Sequence, residues 1–304
     1  MSQELKNVAL LGAGGNLGVP VLDALLESGQ FNVTVLSRAS STSTFPSQVK
    51  VIKSDYSEAS LVEAFTGQDA VISTLTTTAV DAQTAIVNAA ATAGVKRFIP
   101  SEFGNNTLNK EAVDLVPILR EKQNIQEIVK AKVTENPGFS YTNISTGAFF
   151  DWGLKTGFLG FDLQSKKATI WDDGERLFSA NTLSSIARAV VSVLLHPTET
   201  KNQHIFISSF ELNQNQLLKA VEAATGEKWT VERVATDAKI QEGNDLLKQG
   251  NYLGNFTLVL AATYDKRPFG SNFAKEETLS NELLGLPRLD LDQTVKAIVN
   301  GETV

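Results

Sequence analysis

The sequence predicts an α/β protein: a doubly wound parallel sheet with helices on both faces, followed by a smaller α+β C-terminal lobe. Three observations predict it. Short β-branched runs alternate with helical stretches through the first half, a glycine-rich turn joins the first run to the first helix, and after about Phe150 the alternation gives way to mixed strands and helices. Parallel strands need long crossovers, so βαβα alternation implies a parallel sheet. Right-handed crossovers then gather the loops at the strand carboxyl ends along one edge, where ligands bind. The expected division is a first domain over residues 1–152, whose sheet is free to take in later strands, and a lobe over 153–304.

The elements follow in order. Strands are expected at 7–11, 32–36, 49–53, 70–74, 97–100 and 140–144, each a short apolar or β-branched run. Between most of them lie helical spacings: 17–27, where Val21, Leu22, Leu25 and Leu26 recur on one face, then 60–65, 80–93 and roughly 117–133. Pro20 fits the first turn of the first helix, where no N–H partner is lost, and Gly29 ends it. In the lobe, strands at 168–171, 204–208 and 229–233 mix with helices at 182–195, 213–224, 235–248 and 291–300.

The 27 Lys+Arg against 34 Asp+Glu give a net charge of −7, with no clustered basic face, which argues against nucleic acid as a partner. A local site for one anionic ligand remains compatible with it. Cysteine is absent, which excludes disulfides, thiolate catalysis and cysteine metal sites. The start, Met1 to Lys6, is polar, and no stretch approaches a membrane span, so a cytoplasmic protein, monomeric or homodimeric, is expected. His196 and His204 are separated and lack an acid cluster, so they read as structural residues and no metal site is expected.

Val8-Ala9-Leu10-Leu11 runs into Gly12-Ala13-Gly14-Gly15-Asn16-Leu17-Gly18 and then into the first helix. Strand, glycine turn and helix come in the order that a dinucleotide pyrophosphate requires. Gly12 allows the tight turn, Gly15 lets the backbone approach the phosphates, and Gly18 lets the helix pack on the strand. The spacing is Gly-x-x-Gly-x-x-Gly, and Asn16 and Leu17 complete the cradle at the helix start, whose positive end favours an anion. This marks a Rossmann domain. The second strand ends Leu36-Ser37-Arg38, without the acid that would accept from ribose hydroxyls. A guanidinium recognises a 2′-phosphate bidentately and Ser37 adds a hydroxyl, so NADPH is the expected cofactor. By topology, Asp55 after the third strand would meet the adenine, and Thr74, Leu75 and Thr76 after the fourth would line the nicotinamide ribose.

The helix after Pro117 carries one lysine on an apolar stripe. With Lys122 at zero, Ile118, Ile125, Val129 and Val133 fall at about −40°, −60°, −20° and +20°, whereas Arg120 falls at about 160°. Burial disfavours the charged form of such a lysine and tunes it for proton transfer. The competing reading is a lysine near the helix start that snorkels to solvent.

These residues together resemble the NmrA-like family of atypical short-chain dehydrogenases, in its isoflavone reductase and phenylcoumaran benzylic ether reductase branch. The glycine turn, Arg38, the run Arg97-Phe98-Ile99-Pro100-Ser101-Glu102-Phe103-Gly104 and the Lys122-x-x-Ile125 helix carry the likeness. The run from Tyr141 to Trp152 looks like the fungal versions. The resemblance implies an NADPH-dependent reductase of a small, hydrophobic, oxygenated aromatic substrate, phenylpropanoid- or polyketide-like. It sets Lys122 beside the cofactor as general acid or base, and Ser101, Phe103 and the loop around Gly147 close to the nicotinamide. Phe103, Phe149, Phe150 and Trp152 are candidate aromatic walls for the substrate. The plant enzymes carry Ser-Asn-Cys-Phe where this chain has Ser145-Thr146-Gly147-Ala148, so their substrates do not transfer directly. A Tyr-x-x-x-Lys pair is absent, which excludes the ordinary short-chain dehydrogenase mechanism and speaks against a sugar-nucleotide epimerase. The rival reading is a non-catalytic redox sensor of the NmrA type, acting through a protein partner, which has no need of a buried proton donor.

Overall fold

A computed structural model of the chain describes residues 4–76 and 80–304. The chain forms two compact units, one from Met1–Phe103, Glu121–Ile144 and Ile186–Ile205, the other from Gly104–Arg120, Ser145–Ser185 and Phe206–Val304. No described helix is long and apolar enough to cross a membrane.

The first unit runs β1 (Asn7–Leu11), α1 (Gly18–Ser28), β2 (Asn32–Arg38), β3 (Lys50–Ser54), α2 (Glu58–Phe65), β4 (Ala70–Ser73), α3 (Val80–Thr92) and β5 (Arg97–Ile99). All five strands are parallel, in the order β3-β2-β1-β4-β5. The helix α4 (Lys110–Leu115) follows, then α5 (Pro117–Glu135) and β6 (Thr142–Ser145). Phe98 in β5 bridges Tyr141 in parallel, and β6 pairs with the strand Gln203–Phe206. This is the doubly wound Rossmann order, and its switch point lies between β1 and β4. Residues such as Leu11, Val71, Ile86, Phe98, Ile125 and Phe139 share one core. Val8 and Leu10 are fully buried as well, as expected of a strand covered on both faces. The sixth strand starts at Thr142 rather than at 140, and the two residues before it touch β5 only through the bridge at Tyr141 and the bond from Phe98 N to Ser140 O at 2.8 Å.

The second unit holds two three-stranded sheets. Phe178–Asn181 lies between Ala148–Phe149 and Phe210–Leu212, and Lys167–Trp171 lies between Phe161–Asp162 and Thr230–Val234. Several of its short elements were not expected from the sequence, and for two longer ones the physical reason is plain. Phe178–Asn181 buries a Ser and an Asn, which an apolar pattern search passes over; Asn181 satisfies itself on Thr146 O, Ile207 O and Ser209. The helix Leu253–Tyr264 has no charged residue, so no polar face marks its period.

Candidate functional site

The site in the first unit begins where β1 and β4 end side by side. Leu11 O accepts from Thr74 N at 3.0 Å and from Thr74 Oγ1 at 2.8 Å, which clamps the loop after β4 onto the end of β1. Gly12 sits at φ +79°, and a Cβ there would lie 2.8 Å from the Thr74 carbonyl. The turn then closes on itself: Gly15 N donates to Gly12 O at 2.8 Å, and a Cβ on Gly18 would lie 1.9 Å from that same oxygen. No side chain can be fitted at Gly18 without moving the turn away from α1. Leu17 at the N-cap offers no side-chain acceptor, and the first turn of α1 holds no acid. The positive end of the helix therefore stays open to an anion.

In front of this turn lies a cavity of about 660 Å³, in the range of ligand pockets. Gly12, Gly15, Ser37, Arg38, Asp55, Thr74, Leu75 and Thr76 line it. Asn16, Leu17 and Gly18, read from the sequence as part of the cradle, are not in this lining: Asn16 is exposed, and Leu17 and Gly18 are buried. Ser101 is tied to it, since its hydroxyl donates to Leu75 O at 2.6 Å. The Asp55 carboxylate accepts from Ser57 N at 2.9 Å, and the Ser57 hydroxyl and N–H hold it below the usual carboxylate range. Tyr56, Ser41 and Ser43 also line the cavity and were not anticipated. The signal available for Tyr56 was its place directly after the Ser54-Asp55 strand end. Burial pushes its phenol up, against the lowering effect of Arg38 nearby. A cradle that any Cβ would fill, an uncapped helix start and a guanidinium at the end of β2 form the donor set that a phosphorylated dinucleotide requires.

Lys122, on α5, is 8% exposed. Its Nζ donates to Glu102 O at 2.7 Å and to Phe103 O at 3.2 Å, in the segment directly after β5. Burial pushes the lysine below its usual range, and the Glu102 carboxylate opposes that shift. Carbonyl acceptors likewise favour the charged form, so the ammonium is buried but not abandoned. Of its stripe, Ile125 and Val129 join the unit's core with Val133 against it, whereas Ile118 packs in another cluster. Arg120, on the opposite face, is exposed and pairs with Asp114. Phe103 is buried beside the lysine's acceptor carbonyls.

The remaining candidates lie in the second unit. Gly147 sits at φ +62°, where a Cβ would come within 2.1 Å of Ser179 O, and its N–H donates to Gly104 O at 2.9 Å. Phe150, read from the sequence as a possible substrate wall, is a core residue: it is fully buried, its ring 4.5 Å from that of Phe210. It shares one apolar cluster with Leu154, one turn further along its helix, and with Phe161 of the strand Phe161–Asp162. Phe149 and Trp152 are half-buried, and Trp152 packs on Phe158 at 5.2 Å between ring centroids.

The chain matches the model of the NmrA-like family over residues 4–258. It is 39% identical over 297 residues to the oxidoreductase aprR of Aspergillus flavus, covering 97% of this chain and 99% of that one. It is 30% identical over 258 residues to an isoflavone reductase homolog of Zea mays, covering 80% and 82% of the two chains. Among solved structures, AtPrR2 with NADP+ and (+)pinoresinol superposes with a TM-score of 0.77 at 19% identity, covering 98% of this chain and 100% of that one. The chain therefore belongs to the NmrA-like family, among its isoflavone reductase-like oxidoreductases.

Proposed function

We propose that the protein is an NADPH-dependent reductase of a small, hydrophobic, oxygenated aromatic compound, with Lys122 as its general acid. When bound, NADPH supplies the hydride. The chain's own residues do the rest. The turn Gly12–Gly18 and the start of α1 receive the pyrophosphate, and Arg38 with Ser37 reads the 2′-phosphate. Thr74, Leu75 and Thr76 orient the nicotinamide half, with Ser101 steadying that loop through Leu75. Lys122, held by the carbonyls of Glu102 and Phe103, keeps its ammonium fixed and shielded from water. It gives up one proton to the centre that becomes anionic as hydride arrives. The second unit supplies the substrate pocket, with Gly147 shaping its loop and Phe149 and Trp152 among its walls.

The observation that carries this reading is the buried Lys122, since taking a lysine out of water has a desolvation cost that its carbonyl acceptors only partly offset, and groups perturbed in this way cluster at functional sites. A dinucleotide-binding regulator would gain nothing from that cost. The test is NADPH consumption with a panel of phenylpropanoid- and polyketide-like aromatics, comparing wild type with Lys122→Met. Turnover by wild type and its loss in the variant, with NADPH binding retained, supports the reading. An active Lys122→Met enzyme contradicts it.

A further inference from the structure

We propose that Glu102 is a positioning residue for the reaction: its buried carboxylate balances the ammonium of Lys122 and favours the return of that lysine to its protonated form after each turnover. This rests on the reading of Lys122 as the proton donor given above. The two residues meet through the backbone, because Lys122 Nζ donates to Glu102 O at 2.7 Å and to Phe103 O at 3.2 Å. The covalent path from the Glu102 carbonyl oxygen to its carboxylate carbon is short, so that carbon lies within roughly 9 Å of the ammonium in any rotamer. The segment itself is held: Glu102 N donates to Pro100 O at 2.7 Å, and the Ser101 hydroxyl donates to Leu75 O at 2.6 Å.

Both groups are out of water, Glu102 at 2% and Lys122 at 8% exposure, so solvent and salt screen them little. A buried carboxylate stays ionised only beside a compensating charge or donor. Among the described residues the other buried acids have theirs: Asp265 pairs with Arg267, and Asp151 accepts from Leu183 N at 2.9 Å. The titratable groups in the field of Glu102 include Lys122 on α5 and His204 on the strand Gln203–Phe206. Burial holds the His204 imidazole below its ordinary range, with Glu102 opposing and Lys130 acting in the same sense as burial, so near neutral pH the ring is uncharged. Gln126, one turn after Lys122 on α5, is buried and neutral. Lys122 is therefore the cation set against the carboxylate. Once it has given its proton to the substrate, the carboxylate beside it favours the amine's taking a proton from water over its remaining neutral.

The test compares wild type, Glu102→Gln and Glu102→Asp in the full chain. The pH titration of the Lys122 side chain is followed by NMR, and the pH profile of kcat is measured with a turned-over aromatic substrate. Glu102→Gln removes the charge at nearly constant shape, so the titration and the alkaline limb of kcat are both expected about one pH unit lower. Below that limb kcat should change by less than about threefold, and Glu102→Asp, which keeps the charge, should keep the wild-type limb. A Glu102→Gln protein in which Lys122 titrates as in wild type, with kcat lowered equally at every pH, would make Glu102 a structural residue only and overturn the proposal. Where Glu102→Gln does not fold, wild type decides: Glu102 must ionise below the range in which Lys122 loses its proton, and a carboxyl still protonated through that range overturns the proposal. The NMR titration needs no substrate and so separates the two readings. An unshifted titration beside an intact alkaline limb overturns this proposal alone, whereas a shifted titration in an enzyme without that limb removes Lys122 as the donor and, with it, the role of Glu102 in the reaction.

Discussion

Two glycine loops follow two strands in this molecule, one after β1 in the first unit and one after β6 in the second. Gly12 and Gly147 both adopt positive φ, +79° and +62°, and both face a backbone carbonyl that leaves no room for a Cβ. Their physical demands are alike, yet only the first declares itself. Gly12 comes with Gly15 and Gly18 in fixed register between a strand and a helix, so the local chain alone carries the pattern that we propose as a phosphate cradle. Gly147 owes its necessity to Ser179, thirty-two residues away, and nothing within its own segment announces that neighbour. A site written in consecutive residues can be read from sequence, whereas a site assembled from distant ones requires the fold.

The largest effect that would sharpen this contrast comes from chemistry rather than from either loop. Lys122→Met should lower kcat by about 10²–10⁴-fold with NADPH affinity intact. In wild type, the proton donor must be protonated, so kcat should fall as pH rises through the pKa of Lys122. Burial places that pKa below the ordinary lysine range, and Glu102 limits how far. A profile flat through that alkaline limb, measured with a turned-over substrate, would contradict the assignment.

Next in size is Gly18→Ala. A Cβ 1.9 Å from Gly12 O forces the turn and α1 apart, and NADPH affinity should drop by about 100-fold or more by titration. Gly147→Ala should instead act on stability, costing about 1–3 kcal/mol in chemical denaturation through strain at its φ and at Ser179 O. If Gly147→Ala abolished adenosine-half binding while Gly18→Ala spared it, the two loops would have exchanged the roles given to them. The smallest effect is expected from Trp152→Leu, a few-fold rise in substrate KM at unchanged cofactor affinity, since Trp152 is only half-buried against Phe158.

The first half of the fold was legible because buried parallel strands such as β1 and β4 are continuous apolar runs, and α1 is bracketed by its glycine turn and Gly29. The cavity lining was legible to the same extent. Gly12, Ser37, Arg38, Asp55 and Thr74 all follow strands whose ends topology aligns. Tyr56, Ser41 and Ser43 were not, because their places depend on how the loop after β2 folds back toward β3. Phe150 shows the converse failure. Its position beside Phe149 and Trp152 suggested a shared role, but α-helical geometry sends it inward to Phe210.

The central claim is that the turn after β1 and the end of β2 form one NADPH-selective site. It is tested most directly by calorimetric titration of wild type and Arg38→Ala with NADPH and with NADH. The account predicts that wild type prefers NADPH. It also predicts that Arg38→Ala weakens NADPH by about 10–100-fold while leaving NADH nearly unchanged. Equal affinity of wild type for the two cofactors, or a variant that loses both in parallel, would contradict it.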